Sequence, residues 1–318
     1  MIKDKKDLKI VFFGTPGFAV ASLDALVSGG YNVAAVVTMP DKPAGRGKKI
    51  RMSEVKRYAL EHDLPVMQPA KLKDPQFVDA LRAIDADLFI VIAFRMLPEI
   101  VWAMPPMGTF NLHASLLPNY RGAAPINHAI INGETTTGVT TFFLTHEIDT
   151  GDIIARRTVE IGPDENAGQL HDKLMAIGAE EVISTVDAIC QNTLSTFPQP
   201  DGEFTPAPKI FKDTCRIDWS TADKKIHDFV RGLAPYPAAW TTMTEISGKP
   251  SDVKIFATSL SDIPAGLTLE PGQASVMGKR LFAGTASGPV EILELQPAGK
   301  RPMPASAFIL GYHPAFFK

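Results

Sequence analysis

Cysteine is scarce in this chain: 318 residues contain two, Cys190 and Cys215. The pair has no metal-ligand spacing and makes no disulfide framework, so both read as reduced, structural residues. Long apolar runs are missing as well. None approaches the roughly 20 residues that span a bilayer. The start, MIKDKKDLKIVFFG, places charges before a short apolar run as a signal peptide does. That run is too short and meets Gly14-Thr15-Pro16 instead of a cleavage site, so it reads as the first core strand of a cytoplasmic protein. Strong charge of one sign is also lacking. The 32 Lys+Arg against 35 Asp+Glu leave −3, which argues against nucleic-acid binding by the whole surface. The turn Gly14-Thr15-Pro16-Gly17 has neither the G-x-G-x-x-G of a dinucleotide fold nor the Lys-Ser/Thr of a P-loop. It reads as a tight βα turn, and NAD chemistry is disfavoured. Internal repeats and low-complexity tracts are absent from the sequence.

What remains is ordinary in composition, with 45% hydrophobic and 21% charged residues, and long enough for two domains rather than one. Strand and helix signals alternate through the first part. Apolar runs at Leu8–Phe13, Val33–Thr38, Leu88–Ala93, Val139–Leu144 and Ile153–Val159 predict strands. Helical spacing predicts helices at Phe18–Leu26, Ser53–His62, Gln76–Ile84, Ala124–Ile131 and Ala167–Cys190. Such βα alternation implies an α/β domain with a mostly parallel sheet, whose ligands bind beyond the carboxyl ends of the strands. From Thr193 to Thr214 prolines sit among Gln, Asp and Gly, the texture of a linker. Beyond it a helix over Thr221–Leu233, with Ser220 as N-cap, precedes short apolar runs at Val253–Ala257, Gly272–Met277, Lys279–Ala283 and Val290–Leu295. These predict a small β-barrel. The expected division is 1–192, a linker over 193–212, and a barrel over 213–318.

One segment stands out, Asn111 to Gly122, reading NLHASLLPNYRG. Phe110 begins a strand that ends at Asn111 and His113. Alternation puts residues two apart on one face, so an amide donor and an imidazole share a cleft. HEIDTGDII adds a carboxylate, Asp149, in a Gly-containing loop between two apolar strands. An amide, an imidazole and a carboxylate suffice to polarise a carbonyl and manage protons without a metal. An Asp in such a turn often just bonds its own backbone, a description Asp152 fits better than Asp149.

The loop PDKPAGRGKKIR carries Lys42, Arg46, Lys48, Lys49 and Arg51. Directly after the second strand it would rim the cleft, where cations suit a polyanionic substrate. Charge is also uneven along the chain. Residues 209–318 hold 13 Lys+Arg against 10 Asp+Glu, and residues 1–208 hold 19 against 25.

NLHASLLPNYRGAAP together with DTGDI resembles the formyltransferase family that uses 10-formyltetrahydrofolate. FGTPGFA, the basic loop, RGLAPYPAAW and GKRPMPA extend the likeness over nearly the whole chain, toward members whose acceptor is a tRNA. The resemblance implies a Rossmann-like N-terminal domain holding the folate and a C-terminal barrel like an OB-fold touching tRNA. It implies transfer of formyl from 10-formyltetrahydrofolate to methionine on initiator methionyl-tRNA, by a cytoplasmic monomer with no metal and no membrane. By that match Asn111, His113 and Asp149 take catalytic positions. Ser115, Leu116, Leu117 and Pro118 take folate positions, and Lys42, Arg46, Lys48 and Lys49 take tRNA positions. The chain departs from the family pattern at AFRMLP (Ala93–Pro98) and at His146-Glu147, both of which flank the pterin region. Three rivals remain open: transfer to a small amine, hydrolysis of formylfolate, and a folate- or RNA-binding module without catalysis.

Overall fold

Strand Ile10–Gly14 is buried at every position, which a strand in the middle of a parallel sheet requires. In the computed structural model, which describes residues 4–44 and 49–318, it pairs in parallel with Val33–Val37 on one side and Leu88–Ile92 on the other. The sheet has seven strands in the order Ile153–Glu160, Thr136–Phe143, Thr109–His113, Leu88–Ile92, Ile10–Gly14, Val33–Val37, Val66–Met67. Thr109–His113 runs parallel to Leu88–Ile92 and antiparallel to Thr136–Phe143. The chain order reverses between Ile10–Gly14 and Leu88–Ile92, the switch point at which α/β sheets open a crevice.

Local chemistry explains the helices that cover this sheet. Helix Glu54–Glu61 starts where the Ser53 side chain accepts from the Lys56 N–H, and helix Pro75–Ala83 where the Asp74 side chain accepts from the Gln76 N–H. Helix Gly17–Ser28 follows the tight turn expected after the first strand. A Cβ on Gly14 would lie 2.8 Å from Ala19 Cβ and from Phe12 Cε1, so only glycine lets strand and helix approach there. Val11, Phe13, Val37, Phe77, Phe89 and Val101 belong to one buried cluster on this sheet.

The chain divides into two compact units. The first is Met1–Gly122, Gly138–Val159 and His171–Pro206; the second is Ala123–Thr137, Glu160–Leu170 and Ala207–Lys318. Part of the stretch read as a linker is hydrogen-bonded within the first unit, where Phe197 and Ile153 exchange N–H···O bonds of 3.0 and 2.9 Å. The basic loop is partly a hairpin, Lys42–Ala44 pairing antiparallel with Lys49–Arg51.

The second unit contains an antiparallel sheet in the order Ala274–Met277, Arg280–Gly284, Pro289–Pro297, Pro250–Ser259, Ala239–Glu245, Pro314–Phe317. Its two ends meet where the Phe317 N–H donates to Gly272 O at 2.7 Å, leaving a nearly closed barrel as the short apolar runs predict. Ile255, Leu281, Ile292, Leu295, Phe308 and Phe317 lie in its core. The expected helix begins two residues later, at Asp223, and Ser220 does not cap it. Ser220 Oγ donates instead to Asp218 Oδ1 at 2.6 Å, and the Asp223 N–H is met by Ser287 Oγ, 64 residues away in the chain. Two short segments join this unit through that helix. Asn127 Nδ2 donates to Gly232 O at 2.7 Å, and buried Arg231 donates from Nη1 to Gly162 O and Glu165 O at 3.1 and 2.8 Å. No helix among the described residues is long and apolar enough to cross a membrane.

Candidate active site

Strand Thr109–His113 ends at the carboxyl edge of the parallel sheet and carries Asn111 and His113. His113 is buried. Asn111 is half-buried, and its amide has no hydrogen-bond partner among the described residues. Beyond the strand the chain turns sharply through Ser115–Tyr120. Buried Thr140 pins this turn: its hydroxyl accepts from the Leu117 N–H at 3.1 Å and donates to Ser115 O at 2.7 Å. Ser115 Oγ donates to Asn119 O at 2.7 Å, and Leu117 packs with Phe142 and Ile153. Of the four expected folate positions, Ser115 and Leu117 are therefore buried in the fold, and Leu116 and Pro118 are half-buried.

The turn brings the Tyr120 carbonyl 2.8 Å from His113 Nε2. A carbonyl only accepts, so Nε2 carries a hydrogen in either charge state, and Nδ1 is the nitrogen that gains or loses a proton. Nδ1 lies 3.9 Å from Asp149 Oδ2, both side chains being about nine-tenths buried. The same carboxylate oxygen accepts the Gly122 N–H at 3.0 Å.

Asp149 sits in the left-handed region, at φ 57°. Its loop is clamped at several points. Phe143 N–H donates to Asp152 O at 3.0 Å, and a Cβ on Gly151 would fall 1.7 Å from Phe143 O, an approach only glycine permits. Gln199 Nε2 donates to both Asp149 O and Gly151 O at 2.9 Å, and its Oε1 accepts from Arg121 Nε and Nη2 at 3.2 and 2.6 Å. A cleft of about 460 Å³ lies beside the loop, lined by Arg121, His146, Glu147, Gln199 and Phe204 among others.

The two departures from the expected pattern adjoin one another. His146 lies 3.4 Å from Glu99 and edge-on to Trp102, with ring centroids 5.4 Å apart. Met96 and Ile148 expose most of their apolar side chains there. Arg95 turns away, donating to Pro69 O and Ala70 O, and burial holds its guanidinium below the ordinary arginine value.

Of the basic-loop residues, Lys42 is exposed. Arg46 and Lys48 lie outside the described residues, and of Lys49 only the backbone is described. In the second unit a groove of about 750 Å³ is lined by Lys209, Lys212 and Lys254 together with Phe211, Tyr236 and Trp240. Tyr236 is 82% exposed and Phe211 59%. Lys209 lies over the Phe211 ring, and Lys212 and Arg216 over Trp240.

Sequence reasoning missed Tyr120, Thr140 and Gln199. Tyr120 and Thr140 act through a main-chain carbonyl and a core hydroxyl, which have no signature. Gln199 sits in the Pro-rich stretch, where no periodicity marks it. Its one signal is three-dimensional: from 195 to 203 it is the only residue that is not exposed.

Comparison with known proteins places this geometry in context. Residues 8–186 match a family model described as formyl transferase, and residues 209–313 match the formyl transferase C-terminal domain. A protein of Bacteroides fragilis named methionyl-tRNA formyltransferase is 54% identical over 314 residues, covering 97% of this chain and 96% of its own. One of the same name from Porphyromonas gingivalis is 46% identical over 318 residues, with 97% of each chain covered. Among solved structures, a sugar 3N-formyl transferase with dTDP and 5-N-formyl-THF aligns with a TM-score of 0.66 at 20% identity, over 92% of this chain and 99% of that one. That likeness shows the fold.

Proposed function

We infer the reaction from one premise: this chain belongs to the formyl transferase family. It transfers the formyl group of 10-formyltetrahydrofolate to the α-amine of methionine on initiator methionyl-tRNA, giving N-formylmethionyl-tRNA for translation initiation. The acceptor follows from relatives about half identical along their whole length that carry that name. The observation that carries the chemistry is His113, its Nε2 held by the Tyr120 carbonyl and its Nδ1 facing Asp149 at 3.9 Å.

A free α-amine titrates near roughly 7.7, so a useful fraction is neutral at working pH without a strong base. The amine nitrogen attacks the formyl carbon and the carbonyl electrons move onto oxygen. Asn111, whose amide has no hydrogen-bond partner among the described residues, donates to that oxyanion. A donor of this kind is worth about 2.7–4 kcal/mol. Collapse breaks the bond from carbon to N10 of the folate. The proton lost by the amine reaches N10 through His113 Nδ1, and Asp149 balances the imidazolium charge during the relay.

The folate lies against the main chain of Ser115–Pro118 and the half-buried Leu116 and Pro118. The exposed Met96 and Ile148 supply apolar surface for its ring. Lys42, Arg46, Lys48 and Lys49 meet the tRNA phosphates. The groove of Lys209, Lys212 and Lys254 with exposed Phe211 and Tyr236 has the pairing of cations and aromatic faces that unpaired nucleotides require. In chain order, residues 1–192 carry the catalytic domain, 193–212 the connection and 213–318 the tRNA-contacting barrel, with Ala123–Thr137 and Glu160–Leu170 of the first stretch belonging to the second compact unit.

The test mixes the protein with 10-formyltetrahydrofolate and methionine-charged initiator or elongator tRNA. Formylation of the initiator alone is the expected result. Transfer to a sugar nucleotide or to water in place of either tRNA would overturn the reading.

A further inference from the structure

We propose that Gln199 is a positioning residue for the reaction, setting the Asp149 loop so that its carboxylate faces His113. The inference rests on the reading of Asp149 given above. It starts from a saturated side chain. A glutamine amide has two N–H donors and one oxygen with two lone pairs. In Gln199 all four are engaged: two carbonyls of the loop accept, at Asp149 and Gly151, and two guanidinium nitrogens of Arg121 donate. Inverting the amide would set oxygen against two carbonyls and N–H against N–H, so its orientation is determined by its partners. Glutamate, with the same shape, cannot donate to either carbonyl.

The bonds fall where the loop needs them. Asp149 has φ 57°, a conformation that costs a non-glycine residue free energy and persists only where its surroundings hold it. Gln199 ties the main chain on both sides of the Asp149–Gly151 bend. Its other partner, Arg121, precedes Gly122, whose N–H holds Asp149 Oδ2 at 3.0 Å. One dipeptide, Arg121-Gly122, therefore positions Asp149 twice: its side chain through the Gly122 amide, and its backbone through Arg121 and Gln199. The Arg121 guanidinium is itself seated 5.3 Å from the centre of the Phe204 ring. Releasing the tie lets the carboxylate leave a 3.9 Å relation to His113 that no direct hydrogen bond secures.

The decisive variant is Gln199→Glu in the full-length protein. Turnover is expected to fall by about 10²-fold, the typical effect of an ångström-scale misplacement. KM for formylfolate and for methionyl-tRNA should stay within about two-fold of the parent. Because Gln199 acts through Asp149, adding Gln199→Glu to Asp149→Asn should lower turnover by less than about three-fold further. A purely structural role would lower the unfolding temperature while leaving the turnover of folded enzyme intact, so thermal unfolding is measured alongside. Turnover of Gln199→Glu within about three-fold of the parent, or penalties that multiply in the double variant, would overturn the proposal. If Asp149→Asn alone kept full turnover, the reading of Asp149 would fail first and take this proposal with it. Loss with Asp149→Asn but not with Gln199→Glu sinks the proposal alone.

Discussion

Tyr120 presents its main-chain oxygen to His113 Nε2 at 2.8 Å, from a residue that itself sits at φ 63°. This one contact decides which imidazole nitrogen is available for proton traffic, and it directs that nitrogen toward Asp149. In the proposed mechanism His113→Ala removes the relay and Asn111→Ala removes the oxyanion donor. Each is expected to lower single-turnover formylation by about 10²–10³-fold while leaving tRNA affinity nearly unchanged. Full turnover in either variant would refute the assignment of that residue.

Gly151 is set against the Phe143 carbonyl so closely that a methyl group would sit 1.7 Å from the oxygen. Both partners are main chain and neither can rotate aside. Gly151→Ala should destabilise the first unit by about 3 kcal/mol and remove activity with the loop geometry. Gly17→Ala is the control, since a Cβ there meets nothing within 4 Å. Thermal unfolding of the two variants checks the contrast, and equal midpoints would contradict it.

Tyr236 and Phe211 expose aromatic faces beside lysines in the groove of the second unit. Stacking of a base on an aromatic ring is worth about 1–3 kcal/mol. Tyr236→Ala should raise KM for methionyl-tRNA by about ten-fold and leave both folate affinity and turnover at saturating tRNA unchanged. Lys209→Ala should flatten the salt dependence of tRNA binding. An unaltered KM in Tyr236→Ala would remove the groove from the tRNA path.

Asp41 stands at the entry to the basic loop. The hydrogen bond from Lys56 Nζ at 2.6 Å, followed by one from Gln68, holds its carboxyl below the ordinary carboxylate value. A depressed native value means that this contribution to stability is complete above the unfolded value, near 3.9, and is lost as pH falls through the native one. Lys56→Met removes the larger cause. The Asp41 midpoint in a carboxyl-carbon NMR titration should then rise toward the ordinary value. An unchanged midpoint would show that Lys56 is not the cause.

Much of the fold was legible because periodicity carries it. The fully buried strands at Ile10–Gly14 and Leu88–Ile92 are continuous apolar runs, and the helix Ala167–Cys190 has the bounds its pattern predicts. The helix read over Ser53–His62 starts within one residue of its predicted bound, at Glu54, because the Ser53 side chain that caps it is its immediate neighbour. The start of the helix at Asp223 was not, because the hydroxyl that meets its first N–H comes from Ser287. Strands Ala239–Glu245 and Pro314–Phe317 were also missed. Each contributes to a barrel whose pairing depends on partners far along the chain, such as Met243 opposite Phe317.

The amino-acid sequence by itself determined the residue types of the candidate site and the strand on which Asn111 and His113 sit, since alternation and apolar runs are properties of neighbouring residues. It supplied Asn111, His113 and Asp149, and the motif that relates them to formyl transfer. Tertiary structure alone decided which proton His113 keeps, how the Asp149 loop is held, and that Gln199 holds it. Those decisions rest on hydrogen bonds that no local pattern specifies, 7 residues apart at His113 and Tyr120 and 27 to 78 apart around Asp149 and Gln199, and several end on main-chain carbonyls, which every residue possesses and no sequence distinguishes.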